Sequence, residues 1–322
     1  MDKIKVNLSY YVYSTIYNDA ENFGIIKNNQ EPNINLFCNM IIKSLYQERF
    51  NKVEQTRNKF KNKLANYLPQ EELDDVLNDI SKTIAETYND FSNQYHDYFI
   101  MIRPKKEYEY IFDTIIENHL RNDTISNYFR SLFVEYTSYS QEDRELLIFK
   151  DLYLTLNKAI KNHNIIKIKI NNNYKIFKPY QVVNTKEKLY NFLIGLETTS
   201  NNKNRCLSLH LYKINQVLLT NDTFIFSNKE INALDQIILK GPQFSSSGFC
   251  ECKVELTEKG LKKWKTIFMH RPIPTKIENN FIYFYSSCDQ LFNYFSRFGK
   301  DVKIIYPDFL KKKIYLFHKE AL

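Results

Sequence analysis

The side chains best suited to bind an anion lie in one stretch of the sequence, residues 175–214. Apolar residues there are interrupted by basic and polar ones, as in two or three β-strands: Lys175, Lys178, Gln181, His210 and Lys213. Because successive side chains of a strand point to opposite faces, the apolar residues can pack in a core while the basic ones line the other side. Tyr180 and Phe192 add rings on which nucleic-acid bases stack. The stretch therefore predicts a small β-domain that binds an anionic polymer or ligand.

The composition favours an acidic partner without specifying one. The chain of 322 residues has a formal charge of +8, which suits nucleic acid, although a basic surface also serves solubility. Its 24 tyrosines and 24 phenylalanines supply many rings for stacking, and nucleotide bias in an AT-rich genome is the alternative explanation. A chain of this length predicts two or three domains, each with its own core.

Motifs of catalysis and cofactor binding are absent from the sequence. It contains no glycine-rich phosphate loop, no HExxH and no GxSxG, and its six histidines are dispersed. Cys250 and Cys252 are too closely spaced for the usual zinc pair, so reduced cysteines are expected. The N-terminus lacks the apolar core of a signal peptide, and no apolar run is long enough to span a bilayer. We expect a cytoplasmic, non-enzymatic protein with no metal, no cofactor and no membrane contact.

Residues 1–140 are predicted to be a helical region that contains two ribbon-helix-helix units, 1–50 and 97–138. Each unit starts with a short strand, KIKVNL in the first and FIMIR in the second, and continues with two helices separated by a polar turn. Ribbon-helix-helix units work in pairs, because each strand needs a partner to complete a two-stranded ribbon. The two strands of this chain are expected to pair with each other. Chance similarity between short helical units is the alternative.

The outward side chains of the predicted ribbon are candidate nucleic-acid contacts. Ribbons of this kind insert such side chains into the major groove of DNA. The second strand places an apolar pair, Phe99 and Met101, at these positions, which predicts either that protein covers the ribbon or that bases stack on it. The remaining outward positions carry side chains that suit a nucleic acid: Lys3, Lys5, Asn7 and Arg103.

The segment between the two units, residues 47–90, is predicted to be helical and begins with many lysines and arginines. A solvated helix face explains this run, and a surface that follows a nucleic-acid backbone is the alternative. Because proline disfavours helix for the residue before it, a break is expected at Leu68-Pro69.

Residues 249–322 are predicted to form a ferredoxin-like domain. The βαββαβ order is typical of that fold, with strand, helix, strand pair, helix and strand at 249–256, 257–268, 273–285, 289–298 and 302–306. The preceding residues, 227–248, are expected to be a polar linker that contains a flexible loop, GPQFSSSG.

Residues 141–226 resemble a WYL domain, the SH3-like β-barrel named for a Trp-Tyr-Leu signature. A lead-in helix ends in Ala159-Ile160, and strands follow at 165–170, at 177–179, in YNFL and in LHLYKI. The resemblance implies a ligand site in the barrel, made of Lys175, Lys178, Tyr180, Gln181, Phe192, His210 and Lys213.

Two departures from the WYL pattern affect that site. The signature positions read Asn191, Phe192 and Leu193, and the two arginines expected in the last strand are His210 and Lys213. Lysine is a point charge and does not reproduce the bidentate grip of a guanidinium on phosphate. Because histidine titrates near neutral pH, we expect binding that is weaker and more pH-sensitive than with two arginines. A barrel that keeps its fold with a weakened pocket is the alternative.

The whole arrangement resembles the WYL accessory proteins of type VI-D CRISPR systems. Ribbon-helix-helix units precede a WYL-like barrel, and VELTEKGLKKWK and NYFSRFGKD are similar to the extension that follows many WYL domains. That extension implies a homodimer. The resemblance to the accessory proteins implies a protein that binds single-stranded RNA and stimulates an RNA-guided CRISPR effector nuclease.

The predicted fold is therefore α+β and multidomain, with tandem ribbon-helix-helix units, an SH3-like barrel and a ferredoxin-like C-terminal domain. The favoured function is non-enzymatic binding of single-stranded RNA through the barrel. The alternative is a WYL-type transcription regulator that binds DNA through the ribbon-helix-helix units and senses a nucleotide or nucleic-acid ligand in the barrel.

Overall fold

Helices and strands are distributed over two units, Met1–Asp151 and Leu152–Leu322, and both units contain both types of element. The computed structural model describes residues 3–87, 97–118, 120, 124–185, 187, 189–198, 204–244 and 249–320. The presence of both helices and strands in each unit is consistent with the predicted α+β multidomain fold. Within those ranges, no helix combines the length and the apolar character needed to cross a bilayer.

The elements of the N-terminal unit are β1 (Ile4–Leu8), α1 (Tyr10–Asn22), α2 (Ile34–Leu64), α3 (Gln70–Thr87), β2 (Tyr98–Ile102), α4 (Glu109–Asn118), α5 (Ile125–Ser138) and α6 (Gln141–Ile148). Three of the helices begin at a side-chain cap, where Ser9, Asn33 or Thr124 accepts a hydrogen bond from an amide of the first turn. The predicted break near Pro69 is confirmed, because it lies between α2 and α3.

β1 and β2 pair antiparallel as a two-stranded ribbon, with Val6 opposite Ile100 at its centre. One side of the ribbon is apolar, and its side chains Val6, Leu8, Ile100 and Ile102 are buried. α5 packs against β1 and helps to cover this side. The pairing is the one expected for the two strands, whereas the assignment of the surrounding helices to ribbon-helix-helix units stays a prediction.

A buried ion pair joins α1 to α6 inside the N-terminal unit. Nε of Arg144 donates a hydrogen bond to Oδ2 of Asp19 at 2.6 Å, and the Tyr136 hydroxyl donates to the same oxygen at 2.8 Å. Burial and the nearby Asp19 charge raise the pKa of Tyr136 well above its usual value, so this phenol stays protonated. Each charge of the pair depends on the other, because little solvent reaches either.

The C-terminal unit contains a five-stranded sheet, which follows α7 (Lys150–Lys161). Every neighbouring pair is antiparallel and the strand order is β6-β5-β4-β3-β7. A short 3-10 helix (Leu211–Lys213) joins the last two strands. The strands are β3 (Asn164–Ile170), β4 (Asn173–Asn184), β5 (Asn191–Thr198), β6 (Asn204–His210) and β7 (Gln216–Thr223).

A further helix, α8 (Asn228–Lys240), occupies most of the segment predicted to be a linker. Ser227 and Glu230 form a capping box at its start, with each side chain bonded to the backbone amide of the other residue. Leu234 and Ile237 of α8 pack against apolar side chains of β5. The linker prediction for 227–248 is therefore wrong for residues 227–244, and residues 245–248 lie outside the described ones.

The last part of the chain has the βαββαβ order predicted for it, followed by one helix that was not predicted. Its sheet has the strand order β11-β8-β10-β9 with antiparallel neighbours, as in ferredoxin-like domains. Leu310 and Ile314 of the final helix join the core beneath the sheet. The elements are β8 (Phe249–Leu256), α9 (Glu258–Thr266), β9 (Pro274–Glu278), β10 (Phe281–Ser287), α10 (Cys288–Phe295), β11 (Val302–Tyr306) and α11 (Asp308–Glu320).

Candidate nucleic-acid interface

The outer side of the β1–β2 ribbon is a continuous solvent-exposed surface, called the ribbon face below. Lys5 lies opposite Met101 and Asn7 lies opposite Phe99 in the strand register. Six exposed side chains make up the face: Lys3, Lys5, Asn7, Phe99, Met101 and Arg103. Three of the six are cationic and none is acidic, so the face suits a polyanion.

The two apolar residues of the ribbon face are open to solvent. Phe99 is 51% exposed and Met101 is 43% exposed. Nζ of Lys5 lies 4.5 Å from the centroid of the Phe99 ring, which is a cation–π geometry. A ring with an adjacent ammonium group offers a base a stacking surface and its phosphate a counter-charge. The described part of the chain leaves both side chains exposed, and cover by protein and base stacking both stay predictions.

Side chains of α5 hold the free edge of β1. The Ser126 hydroxyl donates to the carbonyl oxygen of Lys5 at 2.8 Å, and Nε of Arg130 donates to the carbonyl oxygen of Asn7 at 2.8 Å. These bonds occupy carbonyl groups that an edge strand would otherwise leave to solvent. The backbone beneath Lys5 and Asn7 is therefore fixed, and their side chains project from a rigid support.

Two asparagines of α2 hold the chain where β2 ends. The amide of Arg103 donates to Oδ1 of Asn35 at 2.7 Å, and Nδ2 of the buried Asn39 donates to the carbonyl oxygen of Arg103 at 3.2 Å. Oδ1 of Asn39 also accepts from the amide of Lys105 at 3.1 Å. The Arg103 backbone is thus bonded on both sides while its guanidinium stays exposed.

A row of tyrosines continues from the ribbon along α1, and the sequence interpretation did not identify it. The ring of Tyr98 lies 5.2 Å from that of Tyr10 and 5.1 Å from that of Tyr13, and Tyr13 lies 4.5 Å from Tyr17. The hydrogen bond with Tyr13 is the main cause, and burial the second, that raises the pKa of Tyr17 to about 12. The spacing of positions 10, 13 and 17 along one helix face is the signal that would have revealed this row.

The barrel residues predicted to bind a ligand are divided between the two faces of the five-stranded sheet. Lys178 lies opposite Leu196 and Gln181 lies opposite Ile194, on the face against which α8 packs. Lys175 lies on the other face by strand alternation, where its Nζ pairs with Glu197 at 2.7 Å. One continuous basic face through all three residues is therefore not formed.

Two aromatic residues of the predicted barrel site serve the packing of the sheet. Phe192 is only 2% exposed and packs against α8 side chains, so it offers no ring surface to a base. The Tyr180 hydroxyl donates to Oδ1 of Asp235 in α8 at 2.8 Å, and its ring packs edge-on against Phe226. Helix α8, which was predicted as linker, is the physical reason for both changes of role.

His210 lies in an aromatic cluster at one end of the same sheet. Its ring centroid is 4.1 Å from Phe192, 5.0 Å from Tyr212 and 5.5 Å from Tyr190. Burial, together with the charge of Lys213, lowers the pKa of His210 to about 4. The expectation that this histidine titrates near neutral pH is therefore wrong. Of the contacts predicted for this region, Gln181 and Lys213 are exposed.

Histidine, cysteine and carboxylate side chains are the groups that could hold a metal ion in this chain. The described part of the chain contains no group of three or more of them in a suitable arrangement. Cys250 and Cys288 approach each other, with their Sγ atoms 2.8 Å apart, as a pair of thiols.

Comparison with known proteins relates the chain to one solved structure in particular. The structure is described as that of a CRISPR Cas-related protein, and it superposes with a TM-score of 0.77 over 99% of this chain and 93% of that one. The chain shares that protein's fold. Sequence identity is 19%, a level at which the likeness shows the fold alone.

Other comparisons add little. Proteasome accessory factor B/C (PafBC) of Arthrobacter aurescens matches at 11% identity with a TM-score of 0.27, over 68% of this chain and 37% of its own, which is too weak to support an argument. No family model matches the sequence, and no curated protein matches it.

Proposed function

We propose that this protein is a non-enzymatic accessory or regulatory protein of a CRISPR system and that it binds single-stranded RNA through the ribbon face. The observation that carries the proposal is the pairing of exposed cations with an exposed ring, Lys5 beside Phe99, on a rigid two-stranded support. The fold shared with a CRISPR Cas-related protein supplies the biological context. We propose the ribbon as the binding site instead of the barrel because α8 covers Phe192 and burial keeps His210 neutral.

Single-stranded nucleic acid fits the ribbon face better than a duplex does. Reading a duplex in the major groove requires donors and acceptors that reach base edges. Phe99 and Met101 occupy the centre of the face and have no hydrogen-bonding side-chain group for that purpose. Unpaired bases, in contrast, stack on exposed rings while nearby lysines neutralise the phosphates.

The finer family assignment also belongs to this proposal. The strand order β6-β5-β4-β3-β7 with a 3-10 helix before the last strand supports an SH3-like barrel of the WYL type. The paired ribbon, with helices after each of its strands, supports two ribbon-helix-helix units. On this basis we propose an RNA-guided effector nuclease as the protein partner and a homodimer as the working assembly.

A transcription regulator that binds duplex DNA is the second candidate. It is favoured by the exposed Lys3, Lys5 and Asn7 on a ribbon of the kind that enters a major groove. The matching nucleotide sensor in the barrel has less support, because α8 packs over the β5 side chains on one sheet face.

Filter binding with the full-length protein separates these two functions. A single-stranded RNA and a duplex DNA of equal length and matched sequence are compared at the same salt concentration, because phosphate contacts make both affinities salt-dependent. We expect the RNA to bind at least about tenfold more tightly, as stacking contributes about 1–3 kcal/mol per base. Tighter binding of the duplex would overturn the RNA proposal in favour of the regulator.

A further inference from the structure

The open face of the C-terminal ferredoxin-like sheet carries four aromatic side chains. Helices and the apolar core cover the other face, where Val254, Ile282 and Phe284 are buried. On the open face, the central strand β10 presents a ring at every second position. With one further ring from β8, these side chains form what is called the aromatic sheet face below: Phe249, Phe281, Tyr283 and Tyr285.

Three rings of the aromatic sheet face form a row along β10, and Tyr285 is the exposed member of the face while the other three members are half-buried. Alternate residues of a strand lie about 6.6–6.8 Å apart on the same side of the sheet. Phe281, Tyr283 and Tyr285 therefore form a row, and Tyr285 at its end is 49% exposed. Phe249 of β8 lies beside that end, with its ring centroid 5.9 Å from the Tyr285 ring and the two planes 31° apart.

Lysines from three elements flank these rings. Lys253 and Lys276 lie directly opposite Tyr283 on the two neighbouring strands. Nζ of Lys253 is 4.4 Å from the Phe281 centroid. Nζ of Lys240, from α8, is 4.1 Å from the Tyr285 centroid. Rings on which bases stack, with cations nearby that meet the phosphates, are the combination that binds single-stranded nucleic acid.

Two of these lysines form no close ion pair within the described part of the chain. Among the residues that the structure describes, no carboxylate oxygen lies within 4 Å of Nζ in Lys240 or Lys253. Burial lowers the pKa of Lys240, as expected for a cation without a counter-charge. The ammonium groups of Lys240 and Lys253 lie over rings rather than beside carboxylates, and Glu278 interacts with Lys253 at longer range.

The glutamates on or beside the same face are mostly engaged by cations or hydroxyls. Glu278 pairs with Lys276 and accepts a hydrogen bond from the Tyr283 hydroxyl at 2.9 Å. Oε2 of Glu255 lies 3.8 Å from Nζ of Lys303. Glu251, opposite Tyr285, is the acidic side chain that a bound phosphate would have to avoid.

We propose that the aromatic sheet face is a second site for single-stranded RNA, on which two or three consecutive bases stack. Sheets of this strand order present aromatic side chains to RNA in the RNA-recognition motif, where the rings stack two or three bases. In this chain, strand β10 has the central position of such a sheet and carries three of the four rings. The inference extends the proposed function to another surface and does not depend on the ribbon face.

A second copy of this chain is the other occupant to consider. In a symmetric dimer each face would meet its own equivalent, because the same patch is used twice. That contact would enclose Lys240 and Lys253 of both copies in one interface, and like charges are unfavourable there when solvent is excluded. An anionic single strand has the complementary charge.

Photo-crosslinking on the unaltered protein gives the direct test. Full-length protein is irradiated with an oligouridine of about 12 nucleotides that contains 4-thiouridine, and the crosslinked peptides are mapped by mass spectrometry. We expect adducts within Phe281–Ser287. Adducts at other surfaces only would overturn the proposal.

Binding measurements with a matched pair of variants complete the test. The double variant Tyr283→Leu/Tyr285→Leu keeps apolar strand residues but removes two rings, and we expect the Kd for the same oligouridine to rise at least about tenfold. Tyr315→Leu removes a ring of α11 that is 63% exposed and should leave the Kd unchanged.

The outcomes separate this site from the ribbon face. If the Kd of the double variant lies within about twofold of that of the unaltered protein, the sheet proposal is overturned. It is also overturned if the double variant changes from dimer to monomer while its RNA binding stays intact. Crosslinks at the sheet with no effect of ribbon-face substitutions would instead overturn the ribbon proposal and sustain this one. Ribbon-face losses without sheet crosslinks would do the reverse.

Discussion

The imidazole of His210 packs against the ring of Phe192, its direct neighbour across strands β6 and β5, with the two ring centroids 4.1 Å apart and the planes tilted by 42°. This contact changes the meaning of both residues. A histidine at the position where the WYL resemblance expects arginine becomes part of an aromatic cluster, and a ring expected to stack on bases becomes part of the α8 contact. This end of the five-stranded sheet is therefore a packed structural element, and the ribbon offers the more open basic surface.

The low pKa of His210 predicts a pH dependence of stability. Its pKa is about 4 in the folded chain, against 6.5 for the unperturbed side chain, so the unfolded state binds more protons between these values. The free energy of unfolding therefore rises with pH through this window. The contribution of His210 is fully present above about pH 6.5 and is lost as the pH falls through about 4. His210→Phe keeps a ring at the site and removes the titration.

Urea unfolding near pH 7 and near pH 5 measures this effect. We expect the unaltered protein to lose more stability between the two pH values than His210→Phe does. Other titrating groups contribute equally to both proteins, so the difference isolates His210. Equal losses in the two proteins would contradict the assigned burial.

Helix α8 is predicted to stabilise the five-stranded sheet against which it packs. Leu234 is fully buried in contact with the sheet, so Leu234→Ala should lower the free energy of unfolding by about 2–5 kcal/mol. Leu239 on the same helix is 54% exposed, and Leu239→Ala controls for the change in helix composition. Denaturant unfolding of the two variants would show similar, small effects if this segment were a linker.

The ion pair between Asp19 and Arg144 is predicted to stabilise the N-terminal unit. Asp19→Ala leaves the Arg144 guanidinium and the Tyr136 hydroxyl without their acceptor, and a loss of about 3–5 kcal/mol is expected. The control is Glu31→Ala, which removes an exposed pair with Lys27, since such pairs contribute little. Thermal unfolding with equal midpoints for both variants would refute the assignment.

Local patterns of the sequence explain the parts of the fold that could be predicted. The alternation in β1 and β2 and the βαββαβ order of the last domain are visible as periods of apolar residues. α8 was missed because Asn, Lys, Glu and Asp separate its apolar positions, although Ser227 and Glu230 have capping-box spacing.

The candidate site was harder to predict than the fold. The outward ribbon residues follow from strand alternation, so Lys3, Lys5, Asn7 and Arg103 could be named from the sequence. The role of His210 could not be inferred, because its pKa depends on burial and on Lys213, and burial is a tertiary property. The aromatic sheet face also requires the strand order, which brings β8 beside β10.

The salt dependence of RNA binding tests the ribbon face most directly. Each phosphate contact on a single strand contributes about 0.7 to the slope of log K against log salt concentration. The triple variant Lys3→Ala/Lys5→Ala/Arg103→Ala removes three cations of the face, and the control Lys59→Ala/Lys61→Ala/Lys63→Ala removes three exposed cations of α2. Both variants change the net charge equally.

Fluorescence anisotropy with a labelled single-stranded RNA, measured over a series of salt concentrations, gives the slope for each protein. The ribbon variant should bind at least about tenfold more weakly, with a slope reduced by about 2, while the α2 control keeps the slope of the unaltered protein. A ribbon variant with an unchanged slope, or a control that loses as much, would contradict RNA binding at the ribbon face.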